Sequence, residues 1–146
     1  MTSCRSVVMD FSVHKTKFPA EISEYFHSSW ETREVWRIEV PRSTLPIGEL
    51  EWHLDWPFFS TSPPAPLFDL KPRDVLESPH DFAKHWNRVV AADLSFPLDV
   101  STFGDRLVIL DGFHRLLKSI DAGARVVECR VVPRKHICTS MQSALM

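Results

Sequence analysis

The sequence predicts an α+β domain: a compact fold with a small mixed sheet, surrounding helices and a C-terminal βαβ unit. Three observations carry this. FPLDVS and RLVIL are short strand candidates joined by TFGD, a hairpin-type turn around Gly104. A helical pattern follows directly from about Gly112 to Ala122, with Gly123 where a left-handed cap belongs. RVVECRVVP then reads as another strand stopped by Pro133, and strand, helix, strand at this spacing is expected to form a right-handed βαβ unit.

The elements can be justified in order. Residues 1–18 have no clear period and read as a loose arm or an edge strand. Ile22, Tyr25, Phe26 and Trp30 fall at helical spacing after Pro19, a good first-turn residue. In EVWRIEVP, Trp36, Ile38 and Val40 alternate with Arg37 and Glu39, which predicts a half-buried strand ending at Pro41. Residues 43–56 fit one or two helical turns. Residues 57–72 hold five of the eleven prolines, so regular structure is not expected there, while the aromatics favour a packed loop. Ser78 and Pro79 have the chemistry of a helix cap and first turn, and Phe82, Trp86, Val89 and Val90 supply an apolar stripe ending near Asp93. Arg106–Leu110 is apolar on both faces and is expected to be a central strand. The organisation that follows is an N-terminal extension with one helix over 1–33, the domain over 34–135, and a frayed tail over 136–146.

A chain of 146 residues favours one domain and buries roughly 70% of its unfolded surface. A net charge of −2 sets up no broad basic field, so bulk electrostatics do not favour nucleic acid as a partner. Cys4, Cys129 and Cys138 are odd in number and widely spaced, which fits a reducing compartment better than a disulfide framework or zinc site. The N-terminus lacks an apolar signal core and no run is long enough to span a bilayer. The expected location is cytoplasmic by default.

The chemistry-bearing stretch is Asp111-Gly112-Phe113-His114-Arg115, where a strand hands over to a helix. First-turn N–H groups lack intrahelical partners and the helix dipole adds positive charge, so an anion is favoured there. Gly112 permits close approach of backbone, Arg115 offers a planar fork for two oxygens, and His114 can donate a hydrogen bond or move a proton. Asp111 either ties down the turn or holds a Mg²⁺ that bridges phosphates. Asp-Gly before a helix is also a common cap with no further role. ELEWHLDW adds Glu49, Glu51, His53 and Asp55 as further candidates to line a pocket. His80 and His85 are five apart and are expected in surface or capping roles; Cys129 is expected to be an inert core thiol.

The run ILDGFHRLLKSIDAGARVVECRVVP resembles the ParB N-terminal-like and sulfiredoxin-like superfamily over about residues 96–133, with a looser echo at VWRIEVP. The resemblance implies several activities. Sulfiredoxins carry G-C-H-R at the positions of Gly112, Phe113, His114 and Arg115; Phe113 offers no nucleophile, so sulfinic acid reduction is not expected. The superfamily's free-serine kinases carry D-G-H-H-R, matched here by Asp111, Gly112, His114 and Arg115. Those kinases use a glutamate as base, a role for which the resemblance offers Glu49 or Glu51 beside His114. ParB proteins carry G-E-R-R and bind CTP; no helix-turn-helix domain follows here, so a complete partition protein is not expected.

The function the resemblance implies is binding of a nucleotide (ATP, ADP or CTP with Mg²⁺) through Asp111, Gly112, Phe113, His114 and Arg115. Phosphoryl transfer to a small-molecule acceptor would follow, with positioning and charge stabilisation supplying most of the catalysis. The alternative is a non-catalytic module of the ParB-like type that binds nucleic acid or a protein. In neither case is a dedicated protein metal site or a membrane expected.

Overall fold

The computed structural model describes residues 9–10, 28–30, 32–59, 61, 69–103, 106–136 and 138–139. The chain is a mixed α+β protein with a four-stranded mixed sheet and several helices. In chain order these are β1 (Met9–Asp10), β2 (Ser28–Trp30), α1 (Thr32–Arg37), β3 (Arg42–Pro46), α2 (Pro72–Glu77), α3 (Ala83–Ala91), β4 (Leu98–Phe103), β5 (Arg106–Asp111), α4 (Phe113–Asp121), β6 (Val126–Val131) and β7 (Cys138–Thr139). The 3₁₀ turns Ile47–Glu49 and Glu51–Asp55 follow β3, as the helical-turn reading of 43–56 anticipates in its second half. Among the described residues no helix is long and apolar enough to cross a membrane.

The main sheet has the order β3-β6-β4-β5. β4 and β5 form the expected antiparallel hairpin, Phe103 opposite Arg106 and Asp99 opposite Asp111, with a register shift at Asp99/Val100. β4 runs parallel to β6 and β3 antiparallel to it. This corrects the βαβ expectation. β5 and β6 are not neighbours and run in opposite directions, so the parallel crossover links β4 to β6 through both β5 and α4.

β5 is likewise an edge strand and not a central one. Its two apolar faces reflect cover on both sides. Val108 and Leu110 pack with Val35, Phe58, Phe103 and Val132, whereas Ile109 packs with Leu98, Val100, Leu116 and Cys129. Burial of both faces does not require strand partners at both edges. Side chains of the second 3₁₀ turn satisfy the free edge instead: Trp52 Nε1 donates to the Leu107 carbonyl at 3.1 Å and the Ile109 N–H donates to His53 Nε2 at 3.1 Å.

The strand expected over 34–41 is replaced by α1 and a short irregular segment. Val35 is 2% exposed and Trp36 55%, and Val35 and Ile38 share one cluster, a three-residue spacing that belongs to a helix. The first strand of the sheet is β3, displaced to Arg42–Pro46; its side chains are largely exposed, so no alternation advertises it.

The helix expected from Ser78 begins instead at Ala83. The Ser78 N–H is already committed to the Asp74 carbonyl at 2.9 Å, which makes Ser78 the end of α2. α2 itself starts with Pro72 in its first turn, a placement where the missing N–H costs nothing. The helix expected from Pro19 to Trp30 ends in a strand, because Ser28–Trp30 is β2; residues 19–27 lie outside the described residues. β2 pairs with β1 and with β7, so Cys138–Thr139 departs from the frayed tail expected over 136–146. Of the proline-rich loop, Phe59 and Leu70 form an isolated bridge, and residues 62–68 lie outside the described residues.

Candidate functional site

β5 ends at Asp111 and α4 starts at Phe113, as the sequence anticipates, with Gly123 in the left-handed region at φ 80 after its end. The hinge is Gly112, at φ 115. It is buried, and a Cβ at this position would meet Leu98 Cγ at 2.9 Å and Leu98 Cα at 3.3 Å. The glycine therefore lets β4 approach the helix start. Having no side chain, it also gives the first turn of α4 no side-chain cap.

Arg115 turns back onto this corner. Its Nη1 donates to the Pro97 carbonyl at 2.5 Å and its Nη2 to Asp111 Oδ2 at 2.8 Å. The same Asp111 oxygen accepts the Trp36 indole N–H at 2.9 Å. Across the hairpin, Asp99 is the register partner of Asp111 and accepts Arg130 Nη1 at 2.9 Å. Arg130 Nη2 donates onward to the Ile38 carbonyl. Two carboxylates side by side are thus each held by one guanidinium. Asp99 is only 2% exposed, and burial pushes its carboxyl up from the ordinary range, against the pull of Arg130.

Trp36 and Arg130 both line an open cleft of about 480 Å³, together with Ile38, Glu39, Val40 and Pro41. That volume is within the range of small-molecule sites. Sequence reasoning finds Asp111 and Arg115 but misses Trp36, Arg130 and Asp99. The available signal was the lone charge Asp99 inside FPLDVS, and a cation, Arg130, inside the apolar-rich RVVECRVVP. Such charges need partners when buried, and these two partner each other.

The other expected residues are placed elsewhere. Phe113 turns inward and packs against all three apolar clusters of the core. Its ring meets those of His53, Phe58 and Phe59 at centroid distances of 5.4–5.7 Å. His114 stacks on Phe59 at 4.9 Å, and His85 stacks on the same ring at 4.5 Å. His114 Nε2 and His85 Nδ1 share a hydrogen bond of 3.1 Å. His85 is therefore not the surface residue expected: it is 5% exposed, because it lies one turn before Val89 on the buried face of α3, against Phe59 and His114. Burial, then Arg88, then His85 lower the His114 pKa to about 3, so the ring is neutral at physiological pH.

Glu49 and Glu51 stand exposed on the 3₁₀ turns, and neither lines the cleft. Glu51 acts electrostatically on Arg73, which pairs with Asp55 at 2.6 Å. His53 is fully buried under Trp52 and Phe58. Cys129 is the inert core thiol expected, with its pKa pushed up to about 12 by burial. Among the described residues no group of three or more His, Cys, Asp and Glu side chains could hold a metal ion.

No family model, no curated protein and no solved structure matches this chain. The ParB-like and sulfiredoxin-like resemblance rests on the residues of the turn and its flanking elements.

Proposed function

We propose that this chain binds a phosphorylated ligand of the nucleotide class (ATP, ADP or CTP, with Mg²⁺ entering only with the phosphates) in the cleft lined by Trp36 and Arg130. One observation carries this reading. An exposed indole and a guanidinium, Trp36 and Arg130, face one cleft, and each is fixed by one of two paired aspartates, Asp111 and Asp99. A locked indole is a stacking surface for a base, and a guanidinium fork suits phosphate oxygens. Arg115 reaches the same site by exchanging the Asp111 carboxylate for a ligand anion, since one Asp111 oxygen now collects both donors.

Binding without transfer is the form of this reading that the geometry favours. His114 is neutral and engaged with His85, and neither it nor Glu49 nor Glu51 borders the cleft. The expected phosphoryl transfer would need a base from elsewhere. The same indole and guanidinium also suit a nucleic-acid backbone, a reading that the net charge of −2 does not favour.

The test is thermal unfolding with ATP, ADP and CTP, each with and without Mg²⁺, on wild type, Trp36→Ala and Arg115→Ala. A ligand that binds only the folded state raises Tm by linkage. Stabilisation of wild type by at least one nucleotide, lost in Trp36→Ala, supports the reading. No stabilisation by any of them contradicts it. Release of ADP from ATP in a coupled assay, abolished by Arg115→Ala, would restore the phosphotransfer form.

A further inference from the structure

We propose that Glu39 is the specificity-determining residue of the cleft, accepting a hydrogen bond from a donor that the ligand carries on its base or its sugar. The inference rests on the nucleotide reading above and states which part of the nucleotide the cleft reads.

Three of the side chains lining the cleft are polar or carry a polar tip: Trp36, Glu39 and Arg130. Two of them are already engaged. Trp36 Nε1 donates to Asp111 Oδ2 at 2.9 Å. Arg130 donates from Nη1 to Asp99 Oδ1 at 2.9 Å and from Nη2 to the Ile38 carbonyl. Glu39 has no hydrogen bond or ion pair to any of the described residues. The lining side chain with its bonding capacity unspent is therefore a carboxylate, which when ionised only accepts.

The backbone holds this carboxylate in place from both sides. Before it, the Ile38 N–H donates to the Val35 carbonyl at 3.1 Å, closing the end of α1, and Arg130 holds the Ile38 carbonyl. After it, Pro41 has its φ fixed by the ring, and Arg42 begins β3 in register with Arg130 of β6. Ile38 and Val40 pack against the core, while Glu39 between them stays exposed. A group positioned in advance gives up less freedom when a ligand arrives.

The chemistry of a nucleotide decides what this carboxylate meets. Ionised phosphates are acceptors and anions, so Glu39 repels them and favours their placement on the guanidinium side of the cleft. The donors of a nucleotide are the exocyclic amine of adenine or cytosine and the hydroxyls of the sugar. With the base on the Trp36 indole, either donor supplies the same interaction, N–H or O–H to carboxylate, which is stronger than its neutral counterpart. Because Glu39 is exposed, water competes for it, and the expected discrimination is a factor of about five to ten.

The test is calorimetric titration of the full chain with Mg²⁺ and five ligands: ATP, CTP, ITP and UTP, which replace the amine of the first two by a carbonyl, and 2′,3′-dideoxy-ATP, which lacks the sugar hydroxyls. Wild type is expected to bind ATP or CTP and to lose about fivefold or more against either the carbonyl analogue or the dideoxy analogue, which tells the base amine from the sugar as the donor. Glu39→Leu is expected to bind parent and analogue alike. Glu39→Gln, which keeps an acceptor oxygen without the charge, is expected to retain part of the discrimination. Nucleotides that bind wild type without discrimination, or discrimination that survives in Glu39→Leu, overturn the role of Glu39 and leave the nucleotide cleft standing. Glu39→Leu and Glu39→Gln that both tighten every ligand by one common factor reduce Glu39 to a repelling charge and overturn it too. Binding of none of the five overturns it together with the nucleotide reading.

Discussion

The Ile109 N–H donates to His53 Nε2 at 3.1 Å, and this bond helps cover the β5 edge of the main sheet. The other ring nitrogen, Nδ1, lies 2.9 Å from the Leu50 carbonyl and so carries the proton. Only the neutral ring fits both neighbours. A second proton on Nε2 would face the Ile109 donor in a fully buried setting, and burial accordingly drives the His53 pKa from 6.5 to about 3.

Acid is therefore expected to unfold the chain through its imidazoles. His53 and His114 both have folded pKa values of about 3, below the unfolded value of 6.5. The unfolded state binds more protons between these limits, so their contribution is complete above pH 6.5 and is lost as pH falls toward 3. The loss reaches on the order of 3 kcal/mol for His53 by pH 4. Urea unfolding of wild type and His53→Gln across pH 4 to 7 checks this, because Gln offers the Ile109 N–H an acceptor that does not titrate. Stability of His53→Gln should fall less steeply with acid than that of wild type. Parallel curves would contradict the assignment.

Gly112 and Gly123, both in the left-handed region, should respond unequally to alanine. At Gly112 the substitution adds both strain at φ 115 and a collision with Leu98 at 2.9 Å, for an expected loss of about 2–4 kcal/mol. At Gly123 the φ is 80 but nothing lies within 4 Å of an added Cβ, so the expected loss is about 1 kcal/mol. Chemical denaturation of the two variants measures the difference; equal losses would mean that Leu98 yields.

The hairpin β4–β5 and the helix α4 were legible in the sequence because local signals agree there: β-rich runs, a turn around Gly104, helical spacing and a terminal Gly123. Residues 34–41 were not, because they satisfy two periods at once. Trp36, Ile38 and Val40 alternate, while Val35 and Ile38 obey helical spacing, and burial of Val35 decides. β3 is edge-lying and mostly exposed, so it has no apolar code to read. At the site, Asp111 and Arg115 were legible because they sit on one turn. Trp36 and Arg130 come from α1 and β6, 75 and 31 residues from their respective aspartates, and only the folded chain brings them together.

The Asp99–Arg130 pair gives a third prediction. Arg130→Met would leave a carboxylate at 2% exposure without its ion-pair partner, costing about 3–5 kcal/mol. It would also free the Ile38 carbonyl that Arg130 now holds. The double variant Asp99→Asn with Arg130→Met should recover part of this, since no buried charge remains. Thermal and urea unfolding of the three variants form the cycle. An Arg130→Met protein as stable as wild type would show that solvent reaches Asp99.

The cleft can be interrogated most directly through the Trp36 indole itself. Titration of ATP, ADP and CTP with Mg²⁺ into the ¹⁵N-labelled full chain, followed by NMR, reports on each tryptophan Nε1–H separately, with Trp36→Phe assigning the resonance. The expected result is a saturable shift of the Trp36 indole signal by at least one nucleotide, with the signal of Trp52, which is bonded to Leu107 at the other end of β5 and does not line the cleft, unmoved. A Trp36 indole signal unmoved by all three nucleotides would contradict the proposed site.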